Sequence, residues 1–187
     1  LPPRQVIKIP HPAAQSHVHI GLPAIQRGDA DFFPLLVGNY SLGGGGFASR
    51  LMQEVREKRG YAYSVYSYFT PRQLVGPFEI GLQTKRAQVD DALKVVNDVL
   101  TGFIADGPTA KELAAAKKNL VDGLALRLDS NAKLPGQVSV IGFYGLPLTY
   151  LDDFPAKVNA VTAAQVRAAF ARHVPAGHLV TVIVAAD

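Results

Sequence analysis

The run "YAYSVYSYFTPRQLVGPFEIGLQT", residues 61–84, limits the possible folds more than any other part of the chain. Two stretches rich in β-branched and aromatic residues flank the short link "PRQL". A link this short joins antiparallel neighbours, so the pattern predicts a hairpin with strands over 61–70 and 75–84. Pro77 within the second run suits an edge position, because proline offers no N–H to a ladder. "RQVIKI" and "QSHVHIGLPAI" predict a further pair of strands about the proline turn "PHPAA", also read as antiparallel. "HLVTVIVAA", residues 178–186, predicts a buried strand at the end.

Helical periodicity fills the remainder. "DADFFPLLVGNYSLG" places Phe32, Leu35, Leu36 and Tyr40 at helical spacing, with Pro34 near the first turn, before four glycines interrupt it. "FASRLMQEVREKR" sets Phe47, Leu51 and Val55 on one face. "VDDALKVVNDVLTGFIADG" is amphipathic and stops at Gly107-Pro108. "TAKELAAAKKNLVDGLALRL" opens on Thr109 and Glu112, spaced as a capping box, and "TAAQVRAAFARHV" repeats the device with Thr162 and Gln165. "NAKLPGQVSVIGFYGL" predicts a helix bent near Pro135. Strand–helix–strand alternation is missing, which excludes a doubly wound parallel sheet. The expectation is an α+β fold: one domain over residues 1–187, with a mostly antiparallel sheet and helices packed on one face.

Composition removes several functions. The chain has no cysteine, so disulfides and thiolate metal sites are excluded. Hydrophobic residues make up 48% and charged residues 18%, a globular balance. The net charge of +4 is spread among acids and forms no basic stripe, which argues against nucleic acid as a partner. No apolar run is long enough to span a bilayer. The opening "LPPRQVIKIP" lacks a signal-peptide pattern and suits a processed chain or a fragment.

The glycines Gly43, Gly44, Gly45 and Gly46 resemble a phosphate loop only superficially. No Lys-Ser or Lys-Thr follows them, and a dinucleotide fingerprint would have to follow a strand, not a helix. They read instead as a sharp turn between helices. The histidines are His11, His17, His19, His173 and His178, and neither H-E-x-x-H nor H-x-x-E-H occurs. His17 and His19 share one face of a strand and could begin a metal site, but two ordinary strand histidines are the simpler reading. G-x-S-x-G is absent, and Glu54, Glu57, Glu79 and Glu112 form no evident acid/base pair. Arg56 and Tyr63 could converge where the helix meets the strand, with Tyr61, Tyr63, Val65, Ser67 and Phe69 on one face and Tyr66 and Tyr68 on the other. A guanidinium and a phenol there could donate to a carbonyl oxygen. From the residues alone, a surface arginine and a core tyrosine are the better description of the pair.

"LGGGGFASRLMQEVREKRGYAYSVYSYF" resembles a segment of the pitrilysin and mitochondrial-processing-peptidase family of zinc metallopeptidases, the inverzincins. "RGDADFFPLLVGNYSLG", "VGPFEIGLQTKRAQVDDAL", "GPTAKELAAAKKNLVDGL" and "LPLTYLDDFPAKVNAVTAAQVRAAFARHV" resemble further family segments in the same order. In that family two related α+β lobes close around a peptide. One carries H-x-x-E-H and binds zinc; the other lacks zinc ligands and contributes an arginine and a tyrosine. The resemblance implies that this chain is the second, C-terminal lobe, with Arg56 and Tyr63 contacting substrate near the scissile bond and Gly43 to Gly46 opening the segment. It implies no zinc and no proteolysis from this chain alone, a zinc-bearing partner lobe or subunit, a peptide substrate accepted along a sheet edge, and a location in the periplasm, with the cytoplasm as the alternative. A non-catalytic scaffold subunit of a larger complex is the alternative that the same family offers.

Overall fold

The computed structural model describes residues 1–185. Strands β1 (Gln5–Ile9), β2 (Gln15–Ile25), β3 (Ala62–Phe69), β4 (Gly76–Lys85) and β5 (Val180–Val184) form one sheet in the order β1-β5-β2-β4-β3. The helices are α1 (Phe32–Asn39), α2 (Val89–Asp106), α3 (Ala110–Arg127), α4 (Leu134–Tyr144), α5 (Tyr150–Ala160) and α6 (Ala163–His173). Every strand pair is antiparallel except β1 with β5, so the architecture is α+β on a mostly antiparallel sheet.

Alternation along β2 explains the two layers. Ser16, Val18, Ile20 and Leu22 are buried, while His17, His19, Gly21 and Pro23 between them are less so. The buried row meets Phe78, Ile80 and Leu82 of β4, Ile183 of β5, and the apolar stripes of α1, α2, α5 and α6 in one core. Phe170 of α6 lies at its centre, with ring centroids 4.9 Å from Phe103 and 5.6 Å from Phe69. Side chains of this size each contribute about 1.5–3 kcal/mol when fully buried. Both capping boxes form: Thr109 accepts from the Glu112 N–H and Thr162 from the Gln165 N–H, with each third-position side chain accepting from the cap N–H in return.

Four local expectations are corrected. β1 and β2 are not a hairpin: β5 lies between them, and Gln5–Ile9 runs parallel to Val180–Val184. The apolar β5 thereby gains a neighbour on each side. Pro77 lies not on an edge strand but near the start of β4, opposite Pro23, where neither proline can supply an N–H and the ladder shifts register. Pro135 falls in the first turn of α4 and bends nothing, because the missing N–H has no partner there in any helix. The predicted final strand ends at Val184; its Ala186 lies outside the described residues.

Candidate functional site

The glycine segment is built by close approach. After α1 the helix widens over Tyr40–Gly44, and the Gly45 N–H reaches back to the Tyr40 carbonyl. Thus Gly43 and Gly44 are still helical and the break comes at Gly45. A Cβ on Gly43 would lie 2.4 Å from Ser67 Oγ and 2.5 Å from Ser67 N, so only glycine lets this turn rest against β3. Gly46 takes φ +57, in the left-handed region, and turns the chain into the single turn Gly46–Ala48. That turn carries Phe47 away from the face of Leu51 and Val55. Both of those are buried, whereas Phe47 is 64% exposed.

The following helix widens again over Met52–Glu57, with the Lys58 N–H bonded to the Gln53 carbonyl. Such widened turns recur at functional sites because they re-aim side chains. Arg56 lies inside this one. Its neighbours Lys58 and Arg59 both pair with Glu54 and hold that carboxyl below its ordinary range. Among the described residues the one carboxylate Arg56 reaches is Glu57, at a long 3.4 Å. Its guanidinium is instead flanked by two rings: the carbon Cζ lies 4.8 Å from the Phe47 centroid and 4.6 Å from the Tyr63 centroid. Both distances are within cation–π range.

Tyr63 reaches this corner through an irregularity. The β3–β4 register shifts between Ala62 and Val65, so Ala62 and Val65 both point to the core and two residues bulge between them. The simple alternation that grouped Tyr63 with Val65 and Ser67 therefore fails at Tyr63, which is 83% exposed. Phe47 was missed as a member of this cluster because its spacing to Leu51 and Val55 fits a helix face. The glycine immediately before it was the available signal that the helix had not yet begun.

Arg50 anchors the segment to the helical layer. Its Nε and Nη2 donate to the two Glu112 oxygens at 2.6 and 2.7 Å, and Nη2 also donates to the Gly107 carbonyl at 2.9 Å. Burial acts against the ionised Glu112 carboxylate, but the Arg50 bonds and those from Thr109 outweigh it and bring its pKa down to about 2.

A cavity of about 470 Å³ starts beside Tyr63, at Ser64, and follows β3 to Phe69; Phe32, Leu35, Leu36, Met52 and the glycines form its other wall. β3 is the outermost strand here. Midway along it, Asn39 Nδ2 donates to the Ser67 carbonyl and Ser67 Oγ donates to Asn39 Oδ1. The edge is thus already fastened at Ser67.

The opposite face of the sheet holds a second polar group. His19 Nδ1 lies 2.6 Å from Glu79 Oε1, and the Glu79 carboxylate also accepts from Tyr68, whose phenol is pushed up to about 12. His17 shares that face and contacts Gln83 at 2.9 Å. Among the described residues the one cluster with metal-ligand geometry is elsewhere, at Asp29, Asp31 and His173. There Arg172 engages both Asp31 oxygens, and His173 is held between Asp31 Oδ2 and the Ala24 carbonyl, each at 3.0 Å. With Asp31 and His173 so engaged, the group does not match the open, water-bearing site of a zinc peptidase.

Comparison with known proteins identifies the family. Residues 1–120 match the family described as the peptidase M16 inactive domain. An uncharacterized zinc protease of Streptomyces coelicolor is 36% identical over 154 residues, covering 82% of this chain and 33% of its own length. One of Bacillus subtilis is 33% identical over 153 residues, 81% of this chain and 37% of its length. The crystal structure of a peptidase M16 inactive domain from Pseudomonas fluorescens superposes with a TM-score of 0.93 at 42% identity, covering all of this chain and 44% of that one. The chain therefore spans about a third of the length of the curated relatives it matches. Matched by sequence and by fold, this α+β chain, whose sequence lacks a zinc motif, belongs to the peptidase M16 inactive-domain family.

Proposed function

We propose that this lobe binds peptide for a zinc-bearing lobe, with Arg56 and Tyr63 donating hydrogen bonds to a substrate carbonyl near the scissile bond. The observation that carries the reading is the Arg56 guanidinium, flanked by Phe47 and Tyr63 and left with one long ion pair, next to a cavity that follows β3. The rings leave the N–H edge of the guanidinium as its polar outlet, and the exposed Tyr63 hydroxyl adds a second donor. Donors fixed in this way can bind a peptide carbonyl and favour charge developing on its oxygen. The cavity wall of Phe32, Leu36 and Met52 suits an apolar side chain of the same peptide. Because Asn39 holds the Ser67 carbonyl, an incoming strand can pair with β3 only on either side of that residue. Hydrolysis itself is assigned to the zinc-bearing lobe, because neither H-E-x-x-H nor H-x-x-E-H occurs in this sequence.

With that lobe supplied, Arg56→Ala and Tyr63→Phe should each lower peptide turnover by roughly 100-fold, the lower end of the range for loss of one such donor. Wild-type turnover in both variants would end the assignment.

A further inference from the structure

We infer that α4 and its flanks form the face against which the zinc-bearing lobe docks; this rests on the two-lobe reading above. α4 has the sequence "LPGQVSVIGFY", and among its residues only Ile141 is buried. Val138 is 62% exposed, Phe143 64% and Leu148, just beyond the helix, 92%; Leu126 of α3 and Leu134 are exposed beside them. A helix this apolar on every side is ordinarily buried. Residues 134–151 carry no charged side chain at all. Charge borders the stretch, with Asp129 and Lys133 before it, Asp152 and Asp153 after it, and the Arg27 guanidinium against Tyr144 and Tyr150 at one side. Gly136 and Gly142 have nothing within 4 Å of where a Cβ would stand, so another backbone can come close at two points.

An uncharged centre within a charged rim is the anatomy of a lasting interface, whereas transient encounters use more polar surfaces. The occupant follows from the relatives. The Streptomyces coelicolor protein devotes only 33% of its length to the matched span, so a family protein carries further chain beside this lobe at high local concentration. A partner that is always present removes the solubility cost of a face that carries no charge.

Hydrogen–deuterium exchange tests the assignment by comparing the isolated chain with the same chain in the intact two-lobe protein. Amides of residues 134–148 should slow at least tenfold in the two-lobe form, with no change at the exposed Thr101 of α2. Val138→Glu with Phe143→Glu should leave the Tm of the isolated chain nearly unchanged and weaken lobe association at least tenfold, while Thr101→Glu alters neither. Unprotected α4 amides, or normal association of the double variant, overturns the inference. So does an isolated chain that is already a dimer and becomes monomeric on Val138→Glu, which would make a second copy the occupant. Association and turnover fail separately: if Arg56→Ala left cleavage intact in a protein still docked through α4, the donor pair would fall and the docking face would stand.

Discussion

At the scale of the residue, Phe47 decides how Arg56 is presented. Without its ring the guanidinium keeps one aromatic face, at Tyr63, and gains freedom to swing toward Glu57. An exposed cation–π contact contributes about 0.5–1 kcal/mol, so Phe47→Ala should weaken peptide binding by roughly two- to fivefold, and Phe47→Tyr should restore it. A peptide titration checks this: no loss on Phe47→Ala, or an equal loss on Phe47→Tyr, removes Phe47 from the cluster. The sequence showed Arg56 and Tyr63 as possible neighbours but hid how they meet. The two-residue bulge that turns Tyr63 outward leaves no mark in composition or spacing, because both bulged positions hold residues that an ordinary strand accepts. Gly43 shows the complementary case. Its presence was plain, but its reason, contact with Ser67 at a distance no Cβ allows, depends on a strand more than twenty residues away.

At the scale of the element, legibility tracked locality. Both capping boxes form where the sequence placed them, because cap and third residue satisfy each other within one turn. The hairpin of β3 and β4 was equally plain. β1 is the opposite case: closeness in sequence points to β2, whereas its neighbour, β5, comes from the far end of the chain. The bond between Arg50 and Glu112 joins two elements that sequence reading treated separately, and it can be tested through pH. Glu112 falls from an ordinary 4.5 to about 2 in the folded protein. A carboxyl depressed in this way contributes stability that is complete above pH 4.5 and fades as pH falls toward 2, with an upper bound of about 3 kcal/mol. Acid unfolding of Glu112→Gln, followed by circular dichroism, should therefore show a flatter stability profile between pH 4.5 and 2 than wild type. An unchanged slope would mean that the ion pair does not couple the helical segment bearing Arg50 to α3.

At the scale of the whole molecule, the sheet closes only when residues 5–9 meet residues 180–184. Pairing over so long a loop is slow to form and contributes late. All five β1 residues are exposed, so little core depends on them. Deleting residues 1–9 should leave a cooperatively folding protein with a Tm lower by about 4–10 °C, the shift expected from losing about 2–3 kcal/mol in a chain of this size. A non-cooperative melt on scanning calorimetry would show instead that β1 is needed to organise the sheet. The α+β class and the one-sided helical layer could be read from the strand alternation, since burial on one face imposes a period of two. The exposed α4 could not, because apolar periodicity announces burial without saying by what.

The clasp of Asn39 on Ser67 carries a consequence for crowding. Of the two rims of the sheet, β3 is interrupted at its midpoint by this clasp, and among the described residues β1 pairs with β5 alone. Rim-to-rim stacking into filaments requires two open ends on every unit. With one rim interrupted at Ser67, a neighbouring lobe can pair along it only in short runs on either side of that residue, which slows growth by that route.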